Sequence, residues 1–397
     1  MKRFYEAEID TFLRDYNKMV FVSGPRQVGK TTITKHLLTD QQYYFNWDYS
    51  EDKKYIITEH DRLFTNLVAL KSHHKPRIAL DEIHKFHDWK NLIKGFYDKF
   101  GNQIEFLITG SAKLNIYKKG GDSMMGRYIN LTIHPLSVAE IVGSHTPSLI
   151  NTIHHIPQDD FDNLMKFGGF AEPYFKNSEK FHTIWSKQRF EQLVREDINN
   201  IEDIHNIDTL ELLAMLLKDQ ICSITNYSNL ANKARISEQT TRRWCILLEK
   251  HFYCFSIKPW SQNVTRSLIK SPKYYLWDWS QLPDEGQRYE NFIASHLYKA
   301  VTYWNETGLG QFALHYLRDK EKREVDFVVI KNNQPWFIVE AKSSNNTITQ
   351  NLKYFHNLIK PQFSFQVMKY ASPIEVSCFD KPGIWVVPAS SFLSQLV

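Results

Sequence analysis

The 397-residue chain has little cysteine, and its cysteines are poorly spaced for chemistry. Cys222, Cys245, Cys254 and Cys378 form no CxxC pair, and four thiols are too few for a disulfide framework in a chain this long. Reduced thiols in a cytoplasm are the expectation. Long apolar runs are missing too. No stretch approaches the roughly 18 apolar residues of a membrane span, and the opening "MKRFYEAEIDTFLRD" lacks the apolar core of a secretory signal. Internal repeats and low-complexity tracts are absent. Strong charge bias is also absent: Lys and Arg exceed Asp and Glu by 49 to 44, a formal net charge of +5 that by itself implies no nucleic-acid partner.

What is present is ordinary in bulk and specific in detail. An apolar fraction of 42% and a charged fraction of 23% are globular values. The length exceeds one hydrophobic core, so two to four domains are expected. Near the start, "NKMVFVSGPRQVGKTTITKHLL" reads as a short strand from Met19 to Val22, a glycine-bearing loop, and a helix from about Lys30. The loop Gly24, Pro25, Arg26, Gln27, Val28, Gly29, Lys30, Thr31, followed by Thr32, fits G-x-x-x-x-G-K-[ST]. Glycines let backbone N–H groups wrap phosphates, and a helix N-terminus adds positive potential. Lys30 then reaches the β- and γ-phosphates while the Thr31 hydroxyl ligates Mg²⁺. ATP and Mg²⁺ are the expected cofactors.

A partner acid belongs at the end of a neighbouring strand. "KPRIALDEIHKFHDWK" supplies one, with the apolar run Ile78 to Leu80 ending in Asp81 and Glu82. Asp81 is expected to hold Mg²⁺ and Glu82 to orient and polarise the attacking water. His84 and His87 read as solvated loop residues. A third strand, Ile104 to Ile108, ends in Thr109-Gly-Ser111, where a hydroxyl such as that of Ser111 can sense the γ-phosphate. Arg127 follows, an arginine suited to stabilising γ-phosphate charge in its own subunit or a neighbour's. Arg195 is a further candidate for the trans role.

Taken in order, "GPRQVGKTT", "LDEIHK", "ITGSA", "GRYINLTIHPLSVAE" and "GGFAEPY" resemble prokaryotic AAA+ ATPases with a C-terminal domain of uncharacterised function. One departure is Ala171, where the family usually has proline. The resemblance implies a multidomain α/β chain: an AAA+ P-loop domain over 1–145, a helical region over 146–205, a winged helix over 206–282 and a nuclease-like α/β module over 283–397. A homo-oligomer is the expected assembly.

The middle of the chain is basic. Residues 181 to 205 read as one long helix, and "NYSNLANKARISEQTTRRWCILLEKHF" as a short helix, a tight turn and a longer helix N-capped by Ser237. That is a helix-turn-helix pattern, with "YCFSIKPW" and "SPKYYLW" supplying the strands of a wing. From Lys233 to Lys273 nine Lys/Arg face only Glu238 and Glu249, a local charge of +7. Concentrated positive charge on one module is the footprint of phosphate-backbone binding, so DNA is an expected partner, contacted by Arg242, Arg243 and Arg266.

The last third carries acids in apolar surroundings. Glu290 shares a helix face with Ile293, Ala294 and Leu297. In "EVDFVVIKNNQPWFIVEAKSS" strand alternation puts Asp326 with Val328 and Ile330, and Glu340 with Lys342. Burying an isolated charge costs several kcal/mol unless it is paired or metal-bound. Glu290, Asp326 and Glu340 would form a hard oxygen site for Mg²⁺, with Lys342 positioning a water or stabilising a pentacovalent phosphate. The set resembles the PD-(D/E)XK nuclease core. The sequence thus leads to an AAA+ ATPase coupled to a DNA-binding arm and a metal-dependent nuclease-like domain. The alternative is an ATP-gated switch or scaffold for a protein partner, with a catalytically silent nuclease fold.

Overall fold

The computed structural model describes residues 3–38, 40, 43–69, 74–110, 124–143, 148–198, 206–261, 271–344 and 347–397. Ser111 and Arg266 lie outside the described residues. The chain divides into two compact units, Met1–His134 and Pro135–Val397.

In the first unit five parallel strands form one sheet: β1 (Met19–Ser23), β2 (Tyr44–Asn46), β3 (Arg77–Asp81), β4 (Glu105–Gly110) and β5 (Tyr128–Thr132), in the order β2-β3-β4-β1-β5. Strands β1, β3 and β4 are buried along their whole length, as continuous apolar runs covered on both faces must be. Phe64 packs edge-on against Phe96, Phe100 and Phe106 in the core. The buried charges pair at once. Arg77 opposite Glu105 in the register donates Nε–H and Nη2–H to its Oε2 at 2.9 and 2.7 Å, and Nη2 lies 2.8 Å from Asp10.

The second unit holds a seven-stranded mixed sheet. Its strands are β6 (Cys254–Pro259), β7 (Lys273–Leu276), β8 (Phe312–Arg318), β9 (Glu324–Lys331), β10 (Gln334–Lys342), β11 (Phe363–Met368) and β12 (Gly383–Pro388), ordered β12-β11-β10-β9-β8-β6-β7. The β9–β10 connection is Asn332-Asn333, both at positive φ (50° and 64°), the tight turn that Asn accepts at low cost. Ahead of β6 come helices Ile207–Lys218, Tyr227–Ala234 and Glu238–Lys250, and Ile224 bridges Lys273 in antiparallel sense. The Ser237 hydroxyl accepts from Thr240 N–H at 3.0 Å, which fixes the start of the third helix.

One feature differs from the sequence reading. The long helix expected over 181–205 is an α-helix only over Glu179–Glu191, widening to π geometry over Gln192–Ile198. Strand hydrogen bonding crosses the boundary drawn at 282/283: β6 runs parallel to β8, with Lys258 beside His315 and Pro259 beside Tyr316. Ala171 begins the helix Ala171–Lys176, where proline and alanine are both tolerated because that N–H has no helical acceptor. The preceding glycines serve packing. A Cβ on Gly169 would lie 2.6 Å from Trp279 and 2.7 Å from the Leu136 carbonyl.

Helix Glu285–Glu306 crosses the middle of this unit and carries Lys299, whose ammonium is buried. It donates to Ser137 Oγ at 2.9 Å and to the Pro135 carbonyl at 3.2 Å, and is ion-paired with buried Glu140. Removing one partner strands the other charge. Lys299→Met should therefore destabilise the chain by about 3–5 kcal/mol, read as a lowered denaturation midpoint, and Lys299→Met/Glu140→Leu should recover most of that loss.

Candidate functional site

In an open parallel sheet ligands bind beyond the carboxyl ends of the strands. Here those ends gather the loop after β1, Asp81 at the end of β3 and Thr109 near the end of β4. The loop turns through three positive-φ residues, Gly24 (150°), Gln27 (62°) and Gly29 (99°), and hands over to helix Lys30–Leu37. A Cβ on Gly24 would stand 2.5 Å from the Ile133 carbonyl oxygen, so this glycine is a steric requirement. Beneath the loop the Arg3 guanidinium donates to the Val28 carbonyl at 3.1 Å and to the His134 carbonyl at 2.6 Å. Lys30 Nζ donates to the carbonyls of Gly24 and Pro25, at 2.8 Å each. The ammonium thus spans the mouth of the loop it would serve.

Asp81, buried at 6% exposure, is the hub. Its carboxylate accepts from Thr31 Oγ1 at 3.2 Å and from the hydroxyls of Tyr44 and Thr109. Burial, then the bond to Asp81, pushes the Tyr44 hydroxyl well above its ordinary value, so it stays a donor. Thr31 and Asp81 are therefore already adjacent, the donor pair that a nucleotide-bound Mg²⁺ uses, and the residues fit that ion. Glu82 holds φ of +57°, sparsely populated for a side chain of its size. It lies 3.5 Å from Lys85 and 3.8 Å from His84.

One expectation is corrected here. His84 is not solvated: 9% of its side chain is exposed, both ring nitrogens are buried without a hydrogen-bond partner, and burial pushes its pKa down. Arg127 does not reach its own site. It precedes β5, its carbonyl accepts from Met19 N–H at the start of β1, and its guanidinium pairs with Asp98 at 2.6 Å. The loop follows the other end of β1, about 15 Å away at ~3.3 Å per strand residue. Arg195 is likewise committed, at 3.0 Å to Asp208 and 2.6 Å to Glu211. Tyr44 and Arg3 were missed. Neither sits in a motif, and only the fold brings them to the site.

The second constellation lies on the 285–306 helix and strands β7, β9 and β10. Glu340 and Lys342 pair at 2.9 Å, and Asp326 Oδ2 accepts from Ala341 N–H at 2.8 Å. Burial and then the Asp326 charge raise the Glu340 pKa; the same two causes raise that of Glu290. The Lys342 charge acts on Asp326 as well as on Glu340. Lys273 from β7, 3% exposed, stands 3.4 Å from Glu290 and 2.6 Å from Glu324. Among the described residues no three His, Cys, Asp or Glu side chains converge closely enough to hold a metal ion. The residues as arranged do not fit Mg²⁺, because an ammonium stands among the carboxylates. Lys273, counted by sequence among the DNA-facing charges, belongs to this cluster instead. Arg242 and Arg243 are exposed on helix Glu238–Lys250, Arg242 paired with Glu238 at 2.7 Å and stacked 4.0 Å from the Tyr227 ring.

Comparison with known proteins fits this geometry. Residues 16–142 match the family model of an AAA domain. The amino-terminal part is thus similar to an AAA domain. Residues 158–282 and 285–392 match two domains of unknown function, DUF8612 and DUF4143. An uncharacterised protein of Mycobacterium tuberculosis is 21% identical over 350 residues, covering 84% of this chain and 73% of its own length. One of Haemophilus influenzae is 22% identical over 282 residues, covering 67% and 68%. Among solved structures, PCH-2 of C. elegans aligns at 15% identity and TM-score 0.24, over 62% of this chain and 65% of its own. A signal transduction ATPase with numerous domains from Pyrococcus horikoshii aligns at 12% and 0.26, over 78% and 47%. No helix among the described residues is long and apolar enough to cross a membrane.

Gly24→Ala tests the cradle directly. Strain at positive φ and the clash with the Ile133 carbonyl should weaken nucleotide binding about tenfold or more, roughly 1.4 kcal/mol, while far-UV circular dichroism stays unchanged. Titration with a fluorescent ATP analogue reads it.

Proposed function

We propose that the first unit binds ATP with Mg²⁺ and hydrolyses it. The observation that carries this is the meeting of Lys30, Thr31 and Asp81 at the strand ends of an AAA-type domain. On binding, Lys30 exchanges the Gly24 and Pro25 carbonyls for the β- and γ-phosphates, and the loop N–H groups enclose the phosphates. Thr31 and Asp81 would hold the Mg²⁺, which neutralises charge on those phosphates when bound. Glu82 orients the attacking water and takes its proton. In a homo-oligomer an arginine placed as Arg127 is can serve a neighbouring copy's site in place of its own.

Lys30→Ala should abolish nucleotide binding or turnover. Glu82→Gln should keep binding while lowering turnover about 10²- to 10⁴-fold, a split that phosphate-release assays beside binding titrations resolve. Full turnover in Lys30→Ala would remove the assignment.

For the second unit the reading is a winged-helix-like arm that contacts DNA phosphates. Its support is the order helix, bridge, helix, helix, hairpin, with Arg242 and Arg243 exposed on the third helix. Arg243→Glu should then weaken DNA binding at all sequences and reduce the slope of log affinity against log salt by about 1. ATP hydrolysis indifferent to DNA across a salt series would favour the second reading, an ATP-gated switch acting on a protein partner. Lys273 favours a catalytically silent nuclease-like module in either case.

A further inference from the structure

Four carboxylates crowd one pocket of the second unit: Glu290 on the 285–306 helix, Glu324 and Asp326 on β9, and Glu340 on β10. Lys342 answers Glu340, and Arg318 answers Glu324 at 2.6 Å. Glu340 Oε2 is buried and has no hydrogen-bond partner. Such a set is unstable without a further cation, because each carboxylate disfavours its neighbours' ionisation.

The cation comes from β7. Lys273 and Tyr275 are two residues apart, so both project from one face of the strand, and both meet Glu290: the ammonium at 3.4 Å, the hydroxyl donating at 3.0 Å. The same ammonium reaches Glu324 at 2.6 Å and lies 5.6 Å from the Tyr316 ring centroid. Burial alone would push Lys273 towards the neutral amine, but Glu290, Asp326 and Glu324 outweigh it and keep it charged. Its side chain is 3% exposed, so the ammonium is walled in.

A divalent ion needs oxygens converging on one point, about six at 2.0–2.1 Å for Mg²⁺. An ammonium is satisfied by three donors on a flexible stem and by oxygens further apart. The spread of carboxylates around Lys273 matches the second requirement. The acids lie in one matched region, 285–392, and the lysine in another, 158–282, so the two modules share a single charge balance.

We infer that Lys273 neutralises this carboxylate cluster in place of a divalent cation, so that the cluster takes up no such ion. The pocket is then a permanently occupied relative of a metal site, and it joins two modules by charge.

The test is Mn²⁺ binding to the full-length, nucleotide-free chain, followed by electron paramagnetic resonance. Wild type and Asp326→Asn should bind equal numbers of Mn²⁺. Binding at the amino-terminal unit is common to all arms and cancels. Lys273→Met should lower the denaturation midpoint, and Lys273→Met/Glu324→Gln, which removes ammonium and partner together, should recover part of that loss. An Mn²⁺ lost from wild type on Asp326→Asn alone overturns the inference, as does a Lys273→Met variant as stable as wild type.

Discussion

A parallel sheet delivers the carboxyl ends of its strands to one edge, and in the first unit that edge must hold a carboxylate without water around it. Asp81 is 6% exposed, and three hydroxyls, from Thr31, Tyr44 and Thr109, donate to it. Each comes from a different element: the helix after the loop, β2 and β4. The bonds that Asp81 accepts therefore set the register of the phosphate-binding loop against the sheet. Lys30, folded onto the carbonyls of Gly24 and Pro25, keeps its charge satisfied until phosphates arrive. The site's geometry is held by its own polar groups.

The second unit solves the same electrostatic problem differently. Glu140 and Lys299 are buried as a pair with Ser137 and the Pro135 carbonyl completing their bonds. Around Glu290 four acids outnumber what Lys342 and Arg318 can answer, and Lys273 supplies a third cation. Because Lys273 sits on β7 and the acids on the following helix and strands, the hairpin β6–β7 is bound to the later sheet by charge as well as by the β6–β8 pairing.

The sequence was most legible where chain neighbours act together. The loop from Gly24 to Thr31 is contiguous, its glycines are dictated by φ and by the Ile133 carbonyl, and its helix follows directly. Strand alternation also placed Glu340 beside Lys342 and Asp326 on the neighbouring strand. Legibility failed where a residue's role depends on what another element brings to it. Nothing in "HHKPRIALDEIH" says that His84 is buried, and nothing near Arg127 says that Asp98 will claim it at the far end of the sheet. Tyr44 and Arg3 act on residues 37 and 25 positions away. Lys273 misled because formal charge was counted along the chain. A lysine in "SPKYYLW" adds to a basic run until β7 turns it toward Glu290.

That last point bears on how an acidic constellation is interpreted. Helix Glu, strand Asp and Glu-x-Lys are the ingredients of a metal-dependent nuclease, but ingredients do not specify the counterion. The carboxylates' mutual repulsion has to be relieved, and an Mg²⁺ or a lysine does so equally well for folding. They differ in consequence. A metal leaves coordination positions for water and a phosphate, whereas an ammonium 3% exposed leaves none. With Lys273 as the counterion we infer, cleavage chemistry would be decided by a residue outside the motif, on the strand that the motif's helix packs against.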